Sequence, residues 1–489
     1  MNSLKVFALF LSLASVTAAQ KEVPLPKDLP PYAAEQPLRA PAVQSSKLDN
    51  GLTVWLVSQR GLPKVAFAVA VRGGFAADPV DRPGITELLS KTIDQGTKSR
   101  TAKQISQELQ AAGGDLSAES SKDFMQVSTA VLSSKVNVGL TILSDILQNA
   151  SFPDAEVALA KRNLADSLRE RESQPSFLAA RVMGKVLFGE HPYHVTAPTQ
   201  ESIAASTATD LRNTYALRVR PDQAVLVAVG DFDNDTMLGL AKTQFGGWRP
   251  PGGAALPSTP RPTLPPQHAV FVVVRPGSVQ TTLQLGTLGP MRSDPDFEAA
   301  EVANAIYGGT FSSRLVSNIR EDKGYTYSPG ASLRTYRQAG VLITRADVRN
   351  EVTAASLNEI TYELNRLATT TPSDEELTKA KRFLVGTEAI SLQARSAVAA
   401  ELAKIWVDGL PADEIGIYSQ RIAATPTAEV DAAARKYFPA WRSAIVAVGE
   451  EQVVRDALGD VHLRAVGAFH RLYARHDARP YPLRRGYLR

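Results

Sequence analysis

The chain has 489 residues, 44% of them hydrophobic and 21% charged, which fits a globular protein of two or more domains and excludes a disordered one. Cysteine is absent, so disulfides, thiol catalysis and cysteine-ligated metals are excluded. The net charge of +4 arises in His462 to Arg489, where seven arginines face the single acid Asp477; the remaining 47 basic and 49 acidic residues give no electrostatic case for nucleic acid.

Residues 1–19 read as a secretory signal peptide: Lys5 gives a weakly charged start, Val6 to Val16 an apolar stretch, and Ala18-Ala19 a small-residue end. No other segment is apolar over the roughly 20 residues that a membrane span requires. An exported protein is expected, and a bacterial periplasm suits one without disulfides. Residues 20–44 form a Pro-rich lead-in to a first domain, 45–249. There, Leu52 to Val57 and Lys64 to Val71 carry strand patterns, and the short connection Arg60-Gly61-Leu62-Pro63 predicts that they pair as a hairpin. Ile85, Leu88, Leu89, Thr92 and Ile93 follow the i, i+3, i+4, i+7, i+8 stripe of an amphipathic helix. A long polar helix is expected from Ser151 to Gln174, started by Ser151-Phe152-Pro153-Asp154. His191 and His194 flank Pro192-Tyr193, where proline disfavours the helix that would set both imidazoles on one face, so the stretch reads as a turn.

Seven prolines between Pro250 and Pro266, with Gly252-Gly253, mark 250–266 as a linker to a second domain, 267–461; a basic tail, 462–489, follows. The two domains look like copies. PDAEVALAKRNL (153–164) is echoed by SDEELTKAKRFL (373–384), Gly189 by Gly409 at the same offset of 220, and AVLVAVGDF (224–232) by SAIVAVGEE (443–451). Three ordered matches at near-constant spacing argue for an internal duplication of α+β halves.

Residues 84–97, GITELLSKTIDQGT, resemble the active-site helix of the pitrilysin/insulinase family, whose pattern is Gly-x-x-His-x-x-Glu-His closed by Gly-Thr. Gly84, Gly96 and Thr97 match, while Glu87 and Lys91 stand at the histidine positions and Ser90 at that of the catalytic glutamate. The resemblance extends through LDNGLTVWLV (48–57), RGGFAADPVDRPGITELL (72–89), FGEHPYH (188–194) and VAVGDF (227–232), and on to about Gly449. It implies two halves, each a largely antiparallel sheet with helices on one face, closed as a clamshell. It also places the third zinc ligand, a glutamate in the family, near Asp166-Ser167-Leu168. Catalytic zinc needs imidazoles or carboxylates and an open position for water, and a lysine ammonium offers no lone pair. This chain is therefore expected to bind no zinc or other cofactor itself; Asp166 reads as a solvated helix residue.

The second half keeps what the first lost. GGTFSSRLVSNIREDKGYTYS (308–328) resembles the family's Gly-Gly-x-x-Ser-Ser-Arg-Leu, Arg-Glu-x-x-Gly and Tyr-Ser pattern. Ser312 or Ser313 is placed to cap a helix with Leu315, Val316 and Ile319 on its apolar face, and Gly324 to stop it. Tyr325 and Tyr327 then share one face of an extended segment. In active members an arginine and a tyrosine seven residues apart bind the substrate backbone and stabilise the oxyanion; Arg320 and Tyr327 match that pair. The joint pattern implies the non-zinc subunit of an exported heterodimeric metallopeptidase, inactive alone, binding unfolded peptides and lending Arg320 and Tyr327 to a homologous zinc-bearing partner. The alternative is a non-catalytic peptide-binding or scaffold protein of the same fold.

Overall fold

The computed structural model describes residues 41–249, 259–263, 270–459 and 466–469. The signal, the lead-in to Ala40, linker residues 250–258 and 264–266, and most of the basic tail lie outside the described residues.

The first half contains β1 (Gln44–Lys47), β2 (Thr53–Ser58), β3 (Lys64–Arg72), α1 (Ile85–Ser90), α2 (Ala102–Ala111), β4 (Asp115–Ser120), β5 (Phe124–Leu132), α3 (Val136–Asn149), α4 (Asp154–Ser173), α5 (Pro175–Phe188), α6 (Gln200–Ala205), α7 (Ala208–Arg218), β6 (Ala224–Gly230) and α8 (Asn234–Phe245). The second contains β7 (Val270–Val274), β8 (Gln280–Gly289), α9 (Phe297–Asn304), α10 (Arg314–Val316), β9 (Gly330–Tyr336), β10 (Ala339–Arg349), α11 (Thr353–Thr369), α12 (Asp374–Ser391), α13 (Arg395–Asp408), α14 (Glu414–Ala424), α15 (Thr427–Tyr437), β11 (Ala444–Gly449), α16 (Glu451–Gly459) and β12 (Val466–Phe469). No helix among the described residues is long and apolar enough to cross a membrane.

Strand order shows the duplication directly. The first sheet runs β1-β2-β6-β3-β5-β4 and the second β12-β7-β11-β8-β10-β9, so that β2, β3 and β6 match β7, β8 and β11. Both sheets are largely antiparallel, and the halves form the expected α+β clamshell. The outer position beside β2 is filled by the preceding β1, antiparallel, whereas the one beside β7 is filled by β12, parallel, from the segment read as a tail.

The expected hairpin of β2 and β3 does not form. β6 lies between them, parallel to β2 (Thr53↔Val225) and antiparallel to β3 (Val65↔Gly230). All seven residues of β6 are buried, and a central position is where such a strand buries both faces and its hydrogen-bonding edges. The tight turn at Asn50-Gly51 instead joins β1 to β2, which pair antiparallel.

Each half lays its own helices on one face of its sheet, and the other half covers the opposite face with a single helix. In β3, Val65, Phe67, Val69 and Val71 point into a core shared with α1, α2, α3 and α8. Ala66, Ala68 and Ala70 point the other way, against Val398, Leu402 and Ile405 of α13. Reciprocally, Val182, Met183 and Leu187 of α5 pack on Val341, Ile343, Val446 and Val448 of the second sheet. The matched glycines 189 and 409 are the residues at which the two crossing helices end. Burying a side chain such as Leu402 contributes on the order of 1.5–3 kcal/mol, so these reciprocal contacts make the halves one packing unit.

The echoed SDEEL segment starts α12 with a capping box: Ser373 accepts from Glu376 N at 3.2 Å, and the Glu376 carboxylate accepts from Ser373 N at 2.9 Å. That carboxylate also takes two bonds from buried Arg314, at 2.6 and 3.0 Å. Arg314 holds the Glu376 carboxyl down at about 2, against an ordinary value of 4.5. Because the folded value is depressed, the pair's stabilisation is present above about pH 4.5 and is lost as pH falls toward 2. Glu376→Gln is expected to lose about 1–2 kcal/mol at pH 7, discounted for the solvent-exposed part of the carboxylate, with no difference from wild type near pH 2. Urea midpoints across that pH range measure it; a constant difference would show that the ion pair is not its source.

Candidate functional site

The frame of the 84–97 segment is built by the residues that match the family pattern. Gly84 has φ +86°, and a Cβ there would come within 2.3 Å of Pro198, so both backbone and space require glycine. The Asp78 carboxylate accepts from Gly84 N at 2.8 Å and the Thr86 hydroxyl at 2.5 Å, holding the start of α1. Buried Arg218 pairs with Asp78 at 2.6 Å and also donates to the Ala77 carbonyl. At the other end, the Thr97 hydroxyl donates to buried Asp145 at 2.6 Å, which also pairs with Arg100 at 2.7 Å. The helix itself ends at Ser90, shorter than its apolar stripe; Thr92 and Ile93 remain fully buried in the turns that follow.

Within that frame, Glu87 and Lys91 line a cleft of about 410 Å³ with Asn163, Ser167 and Arg171 of α4. Ser167 is thus the residue of the 166–168 group that faces Glu87 and Lys91. Asp166 is exposed and pairs with Arg169, while Leu168 is buried. Glu87 is held by Arg171 at 3.3 Å. Burial pushes its carboxyl up, and Arg171 and Lys91 pull it back. Ser90, also buried, donates to the Glu87 carbonyl at 2.8 Å and approaches Ser120 of β4 at 3.5 Å, so its hydroxyl is turned back onto its own helix.

The second group lies on α10 and the wider helical turns, 317–322, that extend it. Ser313 caps the start by accepting from Val316 N, Arg314 ties it to α12, and Leu315 and Ile319 are fully buried. Gly324, φ +61°, ends it with bonds from Gly324 N to Arg320 O and from Tyr325 N to Ile319 O. The Thr326 hydroxyl then donates to the Asp347 carbonyl at 2.6 Å, and Tyr327, 80% exposed, follows. The structure brings the predicted pair together: the Arg320 guanidinium carbon lies 4.7 Å from the Tyr327 ring centroid. Exposed Phe311, which sequence reasoning passed over, stacks on the same guanidinium at 4.5 Å. Arg320 Nε pairs with Glu321 at 3.1 Å, and its terminal nitrogens have no hydrogen-bond partner among the described residues. Two aromatic rings hold the fork in one orientation and leave those donors available. No hydrogen bond or ion pair among the described residues joins this cluster to the Glu87–Lys91 cleft.

Family models match in chain order: "Insulinase (Peptidase family M16)" over residues 53–192 and "Peptidase M16 inactive domain" over residues 205–384. The chain belongs to the pitrilysin/insulinase family. Relatives include an uncharacterized zinc protease of Mycobacterium leprae, 27% identical over 63% of this chain and 70% of that protein. Another, the uncharacterized zinc protease YmxG of Bacillus subtilis, is 23% identical over 71% of this chain and 83% of its own length. The solved peptidase M16 inactive domain from Pseudomonas fluorescens superposes with a TM-score of 0.78 at 25% identity, covering 84% of this chain and 98% of that one. A protease from Helicobacter pylori shares the fold with the same TM-score at 21% identity, over 84% of this chain and all of that one.

The zinc of this family does not fit the residues present. Glu87 is engaged by Arg171, Lys91 is a cation and Ser167 a neutral hydroxyl, so the site offers one carboxylate already in use. Among the described residues no three His, Asp or Glu side chains converge as a metal site. His191 and His194 serve a turn. His191 Nδ1 accepts from Tyr193 N at 3.2 Å, its Nε2 donates to the Pro260 carbonyl at 2.7 Å, and His194 Nδ1 donates to the His191 carbonyl at 2.9 Å.

Proposed function

We propose that this chain is the non-zinc subunit of an exported, periplasmic heterodimeric peptidase, which binds unfolded peptide and donates Arg320 and Tyr327 to a homologous zinc-bearing partner. The observation that carries the reading is the stacked Arg320–Tyr327 pair, with the Tyr327 ring exposed, in a chain whose first half holds Glu87, engaged by Arg171, and Lys91 at the ligand positions. A planar guanidinium fork and a phenol are three donors suited to a peptide carbonyl and to the negative charge that develops on its oxygen. The signal-like residues 1–19 support export. Peptide hydrolysis is measured for the chain alone, the partner alone and the mixture. A gain on mixing that depends on Arg320 and Tyr327 is expected; no gain, or one indifferent to both, overturns the reading.

A second reading is favoured by β4, the outermost strand of the first sheet, with Asp115, Ser117 and Glu119 exposed. Such an edge can take an extended peptide as an added strand without catalysis. Peptide affinity that needs no partner and survives Tyr327→Ala would favour this scaffold role.

A further inference from the structure

Where the halves meet, a cationic pocket lies apart from the Glu87–Lys91 cleft and the Arg320–Tyr327 pair, sharing only Arg218 and Ala77 with the support of α1. Arg72 at the end of β3, Lys122 between β4 and β5, Arg218 at the end of α7, and Arg337 between β9 and β10 line a cavity of about 50 Å³. One water needs roughly 10–15 Å³ of such space, so the cavity takes about three to five oxygen-sized atoms.

The charges in its wall do not cancel. Arg218 is paired with Asp78, and Arg220, also in the wall, with Asp222. The Arg72 guanidinium sits 3.9 Å over the Trp406 ring and donates to the Trp406 carbonyl at 2.6 Å, and neither contact supplies a full negative charge. Asp408, an acid beyond the wall whose charge acts on Arg72, is held by Lys404 at 2.9 Å. Lys122 donates to the carbonyls of Tyr193 and Val195. The Arg337 side chain makes no hydrogen bond or ion pair among the described residues. Against Arg72, Lys122 and Arg337 stands one carboxylate, Asp123, which already accepts from the Tyr193 hydroxyl and, at 2.9 Å, from Arg337 N.

Donors are also left over. Nε of Arg72 and Nε of Arg218 are both buried without a hydrogen-bond partner among the described residues, and Arg218 as a whole is only 5% exposed. Buried polar groups are ordinarily satisfied, so two such atoms on the wall of one cavity point to something that accepts from them. Burial and the neighbouring Arg337 hold the Arg72 guanidinium down at about 10, and burial holds Lys122 down at about 8. Both directions are those of cations short of a counter-charge.

We propose that this pocket binds one small inorganic oxyanion of the phosphate or sulfate class through Arg72, Lys122, Arg218 and Arg337, and thereby ties the second half to the first. Guanidinium forks match tetrahedral oxyanions through paired N–H bonds, and the volume excludes a nucleotide or a polyphosphate chain. The inference does not depend on the peptidase reading.

The test is calorimetric titration and thermal unfolding of the full chain with inorganic phosphate and with sulfate, against acetate and chloride at matched ionic strength. Saturable binding with a matching rise in melting temperature is expected for phosphate or sulfate. Arg337→Gln, which removes a side chain with no hydrogen bond or ion pair among the described residues, is expected to bind about ten- to a hundredfold more weakly, the loss of one charge-assisted bond, and to melt close to wild type when anion is absent. Arg337→Lys restores part of the affinity. Phosphate and sulfate also stabilise proteins by exclusion from their surfaces, but that effect does not saturate and acts alike on both variants. Equal affinity in wild type and Arg337→Gln, an equal response to acetate or chloride, or a purely non-saturating rise overturns the proposal.

Discussion

Arg320→Ala is expected to lower the turnover of the mixed subunits by about a hundred- to a thousandfold, the usual cost of one preorganised donor to an oxyanion, about 2.7–4 kcal/mol. Tyr327→Phe removes a single hydroxyl and is expected to fall toward the lower end of that range. The loss should appear in kcat with KM little changed, because the charge these donors meet exists only in the transition state. Tyr327→Phe should leave folding untouched, since Tyr327 is 80% exposed and surface changes of this kind stay within about 0.5 kcal/mol. Phe311→Ala gives a graded control, since it removes one of the two rings that orient the guanidinium without removing a donor. An equal fall in kcat for an unrelated surface arginine would mean that the loss is not specific to the pair, and a loss confined to KM that the pair serves binding and not the chemical step. Steady-state kinetics of the mixture, with melting temperatures of the variants, separates these outcomes.

The positions that could be read from sequence were those where one local rule governs. Ser313 at a helix start, Gly324 at a helix end, and the proline turn between His191 and His194 are set by backbone conformations that few residues satisfy, and each stands in its expected place. The spacing of Arg320 and Tyr327 likewise brought the two side chains together. What escaped was decided by distant parts of the chain. Nothing near Arg60 announces that Ala224–Gly230 will separate β2 from β3. Nor does α13, read alone, reveal that its apolar face covers the alanines of β3 more than 300 residues earlier in the sequence. The one available signal for the crossing helices was β3 itself, apolar on alternate positions of both faces, as a strand buried on both sides must be. Around Glu87, the resemblance pointed to the 166–168 group without choosing Ser167 within it, and Arg171 was legible only as a residue one helical turn further on. Phe311 showed no signal beyond its place inside the Gly-Gly-to-Arg-Leu motif.

Breaking the support of α1 is expected to cost this protein most in stability. Asp78→Ala leaves the Arg218 guanidinium, 5% exposed, without its counter-charge, and removes the acceptor that holds Gly84 N and the Thr86 hydroxyl. Removing one member of a buried ion pair costs about 3–5 kcal/mol. Arg218→Met leaves the Asp78 carboxylate without its counter-charge, held only by Gly84 N and Thr86, and is expected to cost a similar amount. The pair itself is a different matter. Burial pushes the Asp78 carboxyl up despite the opposing pull of Arg218 and Thr86, so desolvation outweighs pairing. A raised folded value means that its contribution declines as pH rises through the interval between the unfolded and folded values, the reverse of the Glu376 case. The double variant Asp78→Leu with Arg218→Met is therefore expected to lose less than either single one, with a coupling of about 2–3 kcal/mol in a double-mutant cycle. Urea unfolding of the four proteins at pH 7 decides it. Additive losses would mean that Asp78 acts chiefly as the helix cap and that Arg218 finds other partners. A sub-additive result makes the pair a device of position: it fixes where α1 begins, and with it the placement of Glu87, Ser90 and Lys91, at no net gain in stability.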